Sequence, residues 1–280
     1  MTAEQTNTFN ADWIGGAPAD LRIWRDSQPD VTRPVLPPDV AITEVPTLLG
    51  GGLMCKPPDA KPGTVVHFHG GGFVTGSPHT HRCVGARLAK ALERQVWLCP
   101  YPLAPEFVLP EQSLAAAAAL RTALAVHGSP LILSGDSAGA LMALWSWSLS
   151  EPSVRQAVDA TVLFYGYFGQ EPTTGSEADG LGPQSIAAMQ HRLDPVGYMR
   201  SDPLHDPLDE NFSLPKHVVI VGASDDPLNG NSSTLARMNP TARHVMANNC
   251  GHGFLSVANL SQAAQMALTD VVLAMQPELR

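Results

Sequence analysis

Leu131-Ile132-Leu133-Ser134, then Gly135-Asp136-Ser137-Ala138-Gly139, then the apolar run to residue 149 form the stretch that decides the fold. The first four residues read as a buried strand. Residues 138–149 read as a helix that is apolar on nearly all sides and therefore buried as well. A Gly-x-Ser-x-Gly at a strand-to-helix junction has a mechanical reason. A nucleophilic serine needs a sharp, strained turn so that its Oγ projects above the sheet, and flanking glycines remove the side chains that would collide there. Ser137 is the nucleophile this context predicts. The N–H of Ala138, opening the helix, is a donor for a developing oxyanion.

Working outward, strand and helix alternate. Residues 64–69, Thr-Val-Val-His-Phe-His, are β-branched and aromatic between Gly63 and Gly70, a buried strand. Residues 81–92 have helical apolar spacing, 95–98 read as the next strand, and 113–126 as an alanine-rich helix. Residues 160–165, 217–221 and 244–247 are further strands. Upstream, 42–49 and 53–55 flank Gly50-Gly51-Gly52 and read as a hairpin feeding the sheet, with the glycines as the break. The alternation predicts an α/β fold with a central, mostly parallel sheet and helices on both faces.

Two segments stand apart from it. Residues 1–45 are Pro-rich towards their end and carry a short amphipathic piece at 18–25 that pairs Leu21 with Trp24. Residues 168–215 are long, polar and broken by Gly and Pro, with only 183–193 helix-like, as expected of a lid. This leaves 46–167 and 216–280 as the main domain.

Composition narrows the function. The 280 residues are 44% hydrophobic and 15% charged, which excludes a disordered chain. With 17 Lys+Arg against 26 Asp+Glu, net −9, and no run of like charge, the surface repels phosphate backbones and anionic lipid, so neither nucleic acid nor membrane is an expected partner. Residues 1–13 lack a signal-peptide pattern, and the longest apolar stretches fall short of the ~20 residues a membrane span needs. A cytoplasmic location is expected, with Cys55, Cys83, Cys99 and Cys250 reduced and mostly buried. The one assembly considered is a homodimer.

A hydroxyl is a poor nucleophile unless a base takes its proton and a third group holds that base. His252, between Gly251 and Gly253 after the last strand, can reach over the carboxyl edge of the sheet. His217 and His244 sit at a strand start and a strand edge, where histidines pack or face water. For the acid, Asp225-Asp226-Pro227-Leu228 follows the strand at 217–221, at the sheet edge where α/β proteins place ligands. Asp226 is preferred because Pro227 biases it towards extended backbone, with Asp225 as the alternative. His69-Gly70-Gly71-Gly72-Phe73 ends the strand at 64–69. Three consecutive glycines cost entropy and pack nothing, but they let backbone N–H groups approach a substrate oxygen and complete an oxyanion hole with Ala138. His69 then organises this loop.

Together with Tyr101-Pro102-Leu103-Ala104-Pro105-Glu106, the motifs Gly135-Asp136-Ser137-Ala138-Gly139, His69-Gly70-Gly71-Gly72, Asp226-Pro227-Leu228 and His252-Gly253-Phe254 resemble the hormone-sensitive lipase family of esterases over about residues 60 to 260. The resemblance implies an α/β-hydrolase fold, a cap built from the N-terminal segment and the insertion after the sixth strand, and hydrolysis of small acyl esters. By that match Gly71 and Gly72 supply oxyanion donors. Two departures stand out: Pro102 replaces the family's Arg, and Asn229-Gly230 replaces a basic residue and a second Asp, which predicts a looser acid loop.

Rival chemistries fit less well. His67-x-His69 and His79-x-His81 suggest a metal, yet no carboxylate or cysteine cluster joins them at ligand spacing. Ser213-Leu214-Pro215-Lys216 is broken by Pro215, and neither a Gly-x-Gly-x-x-Gly nor a P-loop is present. Cys250 near His252 reads as a packing residue. The sequence thus predicts a serine carboxylesterase acting on short- to medium-chain acyl esters through Ser137, His252 and Asp226, without metal or cofactor. Hydrolysis of an amide, formamide or lactone is the alternative, and a non-catalytic ligand receptor on the same fold a more distant one. Phe73 and Trp13 or Trp24 are expected at the pocket rim.

Overall fold

The computed structural model describes residues 36–47, 50–172, 174–177, 180–257 and 259–276. Among them, eight strands form one sheet: β1 (Ala41–Thr47), β2 (Gly50–Lys56), β3 (Lys61–Phe68), β4 (Arg94–Cys99), β5 (Leu131–Asp136), β6 (Val158–Phe164), β7 (Val218–Ala223) and β8 (Arg243–Ala247). Their order is β1-β2-β4-β3-β5-β6-β7-β8. β2 pairs antiparallel with β1 and β4, and the pairs from β4 to β8 are parallel. This is the expected mostly parallel α/β sheet.

The helices are α1 (Arg82–Leu92), α2 (Glu111–His127), α3 (Ala138–Ser148), α4 (Pro152–Gln156), α5 (Pro183–Leu193), α6 (Tyr198–Ser201), α7 (Asn229–Met238) and α8 (Gln262–Met275). They cover both faces because alternate strand residues point to opposite sides. Val66, Phe68, Leu133 and Leu163 pack with Leu120, Leu141 and Trp145 of α2 and α3. Val65, Val96, Ile132 and Val162 pack with Val84 and Leu88 of α1 and Leu268 and Val271 of α8. The central register matters most for function. Phe68 lies opposite Gly135, so the loop leaving β3 runs beside the turn leaving β5.

The structure departs from the sequence reading in several places. Gly50, Gly51 and Gly52 do not break the hairpin but belong to β2, paired with Thr47, Pro46 and Val45. Glycine is needed at 52 for close packing: a Cβ there would lie 2.9 Å from Trp97 Nε1 and 3.1 Å from the Leu98 carbonyl oxygen. Residues 41–45, grouped above with the N-terminal segment, are part of the sheet. The amphipathic piece at 18–25, with Trp13 and Trp24, lies outside the described residues.

Helices α7 and α8 went unread. α8 carries its own signals: the Ser261 side chain accepts the Ala264 N–H at 3.1 Å, and Ala264, Ala267, Leu268, Val271 and Met275 fall on one buried face. The insertion holds α5 and α6. Its anchor is the Glu177 carboxylate, which accepts the N–H groups of Gln184 and Ser185, both at 2.9 Å, in the first turn of α5. Among the described residues no helix is long and apolar enough to cross a membrane.

Candidate active site

Ser137 occupies the turn between β5 and α3 with φ 54° and ψ −123°, a strained backbone for a residue with a side chain. Three backbone bonds hold it: its N–H donates to Phe164 O at 2.9 Å, and its carbonyl accepts from Tyr167 N and Ala140 N, both at 3.1 Å. The flanking glycines are sterically required. A Cβ on Gly135 would run into the Gly139 carbonyl, and one on Gly139 into the carbonyls of Phe68 and His69.

The long loops bring the other polar residues to Ser137. His252 Nε2 lies 2.9 Å from Ser137 Oγ, and His252 Nδ1 lies 2.8 Å from Asp226 Oδ2. With the Nδ1–H donated to the carboxylate, Nε2 is left to accept the Ser137 hydroxyl proton. Asp226 is buried, and its Oδ1 accepts the Leu228 N–H at 2.8 Å. Asp225 points elsewhere: it is exposed, and its carboxylate accepts the Ser224 hydroxyl at 2.8 Å. His217 and His244 have no part in this chain of bonds.

The glycine loop lies on the other side of Ser137. Gly71 and Gly72 have φ of 121° and 61°, a left-handed path that favours glycine. The Gly71 carbonyl accepts the N–H groups of Val74 and Thr75 at 3.2 and 3.0 Å, which closes the loop. Among the described residues the N–H groups of Gly71 and Gly72 have no bonded acceptor. The N–H of Ala138, in the first turn of α3, has no intrahelical partner either. All three residues line one cavity with Ser137 and His252.

His69, buried, braces this loop: its ring N–H donates to Gly70 O at 2.8 Å, its carbonyl accepts the Tyr101 hydroxyl at 2.8 Å, and its ring stacks on Tyr101 at 4.2 Å. Burial, with the charge of His81 adding to it, pushes the His69 imidazole down to about 3. His67 is also held below its ordinary range by burial, against the pull of Asp136. Asp136 shows the reverse: burial alone would raise its carboxyl, but His81 and the hydrogen bond from His67 outweigh it and keep the group ionised. Burial, then the Asp225 carboxylate, push the Cys250 thiol up, which disfavours the thiolate a cysteine nucleophile needs.

The cavity measures ≈ 200 Å³. Phe73, Tyr165 and Tyr167 line it together with Leu181, Ile186 and Met189 of the insertion. The Tyr167 hydroxyl donates to Gln190 Oε1 of α5 at 2.9 Å.

Several contributors were not read from the sequence. Tyr165, with φ 37°, sets its ring edgewise to His252 at 5.2 Å and to Phe254 at 5.1 Å. Asn231, fully buried, accepts the N–H groups of Phe168 and Gln170 at 2.8 and 3.1 Å and donates to Gln170 O at 2.9 Å, so it ties the acid loop to the start of the insertion. That tie lies one residue beyond the missing second acid at Gly230. The polar cluster suspected of metal binding is otherwise engaged: among the described residues no group of three or more His, Cys, Asp or Glu is arranged to hold an ion.

A family model described as alpha/beta hydrolase fold matches residues 65–256 of this chain. A hyperthermophilic esterase from the archaeon Pyrobaculum calidifontis is similar in structure, with a TM-score of 0.81 at 22% identity over 98% of this chain and 94% of that one. A thermophilic carboxylesterase from a metagenomic library reaches 0.76 at 24% identity over 95% and 99%. A hormone-sensitive lipase from a metagenome library reaches 0.76 at 22% identity over 94% and 90%. At these identities the structural likeness speaks for the fold.

Proposed function

The chain belongs to the hormone-sensitive lipase-like family of α/β hydrolases, and from that premise we propose that it is a serine carboxylesterase acting on short- to medium-chain acyl esters. The observation that carries the proposal is the bonded chain from Asp226 through His252 to Ser137 at 2.8 and 2.9 Å, beside a loop with two unbonded backbone N–H groups.

In this mechanism Ser137 Oγ attacks the ester carbonyl as His252 Nε2 takes its proton. The carbonyl electron pair moves to oxygen, and the N–H groups of Gly71, Gly72 and Ala138 receive that charge, each such donor being worth about 3 kcal/mol. Asp226 holds the imidazole in one tautomer and stabilises its cationic form. The imidazolium then protonates the departing alkoxide and leaves an acyl-Ser137 ester. Water, deprotonated by His252, attacks this ester, and collapse of the second tetrahedral intermediate releases the acid and returns the proton to Ser137. A strained serine is consistent with this role, since strain persists where the surroundings impose it. The confined cavity and its apolar walls favour an uncharged acyl group of modest length.

The test is turnover of p-nitrophenyl esters from acetyl to decanoyl by the wild type and Ser137→Ala, with fluorophosphonate labelling of both. Turnover of the shorter esters and labelling that vanish together in Ser137→Ala are expected. A wild type that neither labels nor hydrolyses any ester would point to a ligand receptor. Activity confined to amides or lactones would move the substrate class while keeping the mechanism.

A further inference from the structure

Beneath the glycine loop lies a second polar cluster that the mechanism does not use, drawn from both histidine pairs of the sequence. His67 Nε2 is 3.1 Å from Asp136 Oδ1, and His67 Nδ1 is 3.0 Å from Ser134 Oγ. The His67 and Ser134 side chains are sealed from water and cannot meet a substrate. His81, just before α1, and Asp136 are the members that also line the cavity.

The hydrogen bonds of His81 can be assigned by counting protons. The Thr80 hydroxyl donates to Ser77 O at 2.9 Å, so its single proton is spent. His81 Nδ1, 2.9 Å from Thr80 Oγ1, must therefore be the donor in that contact. Nε2 is left facing two groups, the Gly70 N–H at 3.2 Å and Asp136 Oδ2 at 3.5 Å. In the neutral ring it accepts from Gly70. In the protonated ring it donates to Asp136. The Gly70 N–H also donates to Asp136 Oδ1 at 3.1 Å. One backbone N–H is thus shared between a histidine and a carboxylate, and it belongs to the residue just before the two oxyanion glycines. Gly70 itself is wedged in place: a Cβ on it would lie 2.9 Å from Asp136 Oδ2 and 3.1 Å from Ser137 Cβ.

We propose that His81 and Asp136 are positioning residues for the oxyanion loop, fixing Gly70 so that the N–H groups of Gly71 and Gly72 point at the developing charge. The inference rests on the esterase reading above. Neither residue touches the reacting atoms. Asp136 lies in the residue before the nucleophile, so one buried carboxylate sets the relation between the serine turn and the donor loop. The groups around His81 are His69, with ring centroids 5.4 Å apart, Asp136, His67 and Thr80.

Two amide variants separate this role from packing. Gln at 81 can place its terminal amide where Nε2 lies and still donate to Asp136. Asn at 81 reaches only as far as Nδ1, so it keeps the Thr80 contact and loses the other. The expected result is kcat within about fivefold of wild type for His81→Gln and a fall of roughly 10- to 100-fold for His81→Asn, since misplaced catalytic donors cost rates of that order. KM should stay within about threefold in both. The Ki of a trifluoromethyl ketone, whose adduct carries the oxyanion, should weaken in His81→Asn by the same factor as kcat falls.

The proposal is overturned if His81→Asn keeps wild-type kcat, if both variants fall equally, or if the loss appears in KM alone. Failure of the esterase reading is seen separately, in the wild type, as absence of Ser137 labelling and turnover.

Discussion

The Met189 thioether fills the space that a side chain on Gly72 would need: a Cβ built on Gly72 would collide with Met189 Sδ. The insertion is therefore locked onto the donor loop, with α5 laid across the residue proposed to bind the oxyanion. Glycine at 72 serves two ends at once, a left-handed backbone and room for this methionine. One residue thus lines the cavity and packs against the donor loop.

Met189→Ala should accordingly change acyl preference. Met189 is buried and lines the cavity together with Phe73. Truncation removes about three heavy atoms from the wall and costs roughly 2–5 kcal/mol of stability if the site does not collapse. Where a cavity limits chain length, each methylene it admits is worth about 10- to 200-fold in kcat/KM. The ratio of kcat/KM for hexanoyl over acetyl p-nitrophenyl ester should rise about tenfold or more. An unchanged ratio in a folded variant would remove Met189 from the acyl wall.

Asp226→Asn and Asp225→Asn should differ sharply. Asp226 is the carboxylate on His252, while Asp225 pairs with the Ser224 hydroxyl at the surface. An Asn at the first position stabilises the wrong tautomer and the imidazolium poorly, so kcat should fall by about 10⁴. Asp225→Asn should stay within a fewfold of wild type. The reverse ranking in a short-chain ester assay would transfer the acid role by one residue.

Gly139→Ala should damage folding and catalysis together. The added methyl meets two carbonyls at the end of β3, Phe68 and His69, and neither is a side chain that can swing away. Overpacking of this kind costs typically 1–3 kcal/mol, or roughly 2–5 °C in Tm for a domain of this size. Because the displaced carbonyls lead into the glycine loop, kcat should fall as well. A melting curve and activity both unchanged would contradict the packing described.

What could be read from the sequence was what local chemistry dictates. A glycine that lets backbone approach backbone, as at 135 and 139, leaves a signature within five residues. Pro227 singled out Asp226 in the same local way. The remaining parts of the site depend on residues far apart in the chain. Asn231 bonds Phe168 across 63 positions, His81 meets Asp136 across 55, and Met189 reaches Gly72 from an insertion whose polar sequence shows little period. Gly52 was misread because glycine marks both turns and close packing, and only the neighbouring Trp97 tells them apart. Helix α7 begins within the acid loop, where motif residues hide the start of its pattern.

Stability should drain as the solution is acidified from neutrality. His69 is pushed from an ordinary value near 6.5 down to about 3, and His67 shifts in the same direction. Between these values the unfolded chain binds protons that the folded one refuses. His69 contributes fully above about pH 6.5 and loses about 1.4 kcal/mol per pH unit below it, and His67 adds a loss in the same direction. Asp136, held low in the folded state, adds its own loss only as the pH falls below about 3.8. Urea unfolding from pH 8 to pH 4 should show a plateau and then a decline. In His69→Asn the decline should be shallower by about 1.4 kcal/mol per pH unit. The same slope in both proteins would mean that His69 is not held neutral.

Asn231→Ala should loosen the acid loop from the insertion. The side chain satisfies the Phe168 and Gln170 N–H groups and is fully buried, so its removal leaves two donors without partners. Each unsatisfied buried group costs about 1–3 kcal/mol, less where water can enter the space left behind. A loss of about 2–4 kcal/mol in urea unfolding is expected, with the midpoint lowered and the slope unchanged. Because Asp226 and the cavity wall at Tyr167 lie on the two segments that Asn231 joins, kcat should drop with stability, by about tenfold. A variant with wild-type stability but reduced kcat would show that the tie acts on the site alone, and full activity in a destabilised variant that it acts on the fold alone.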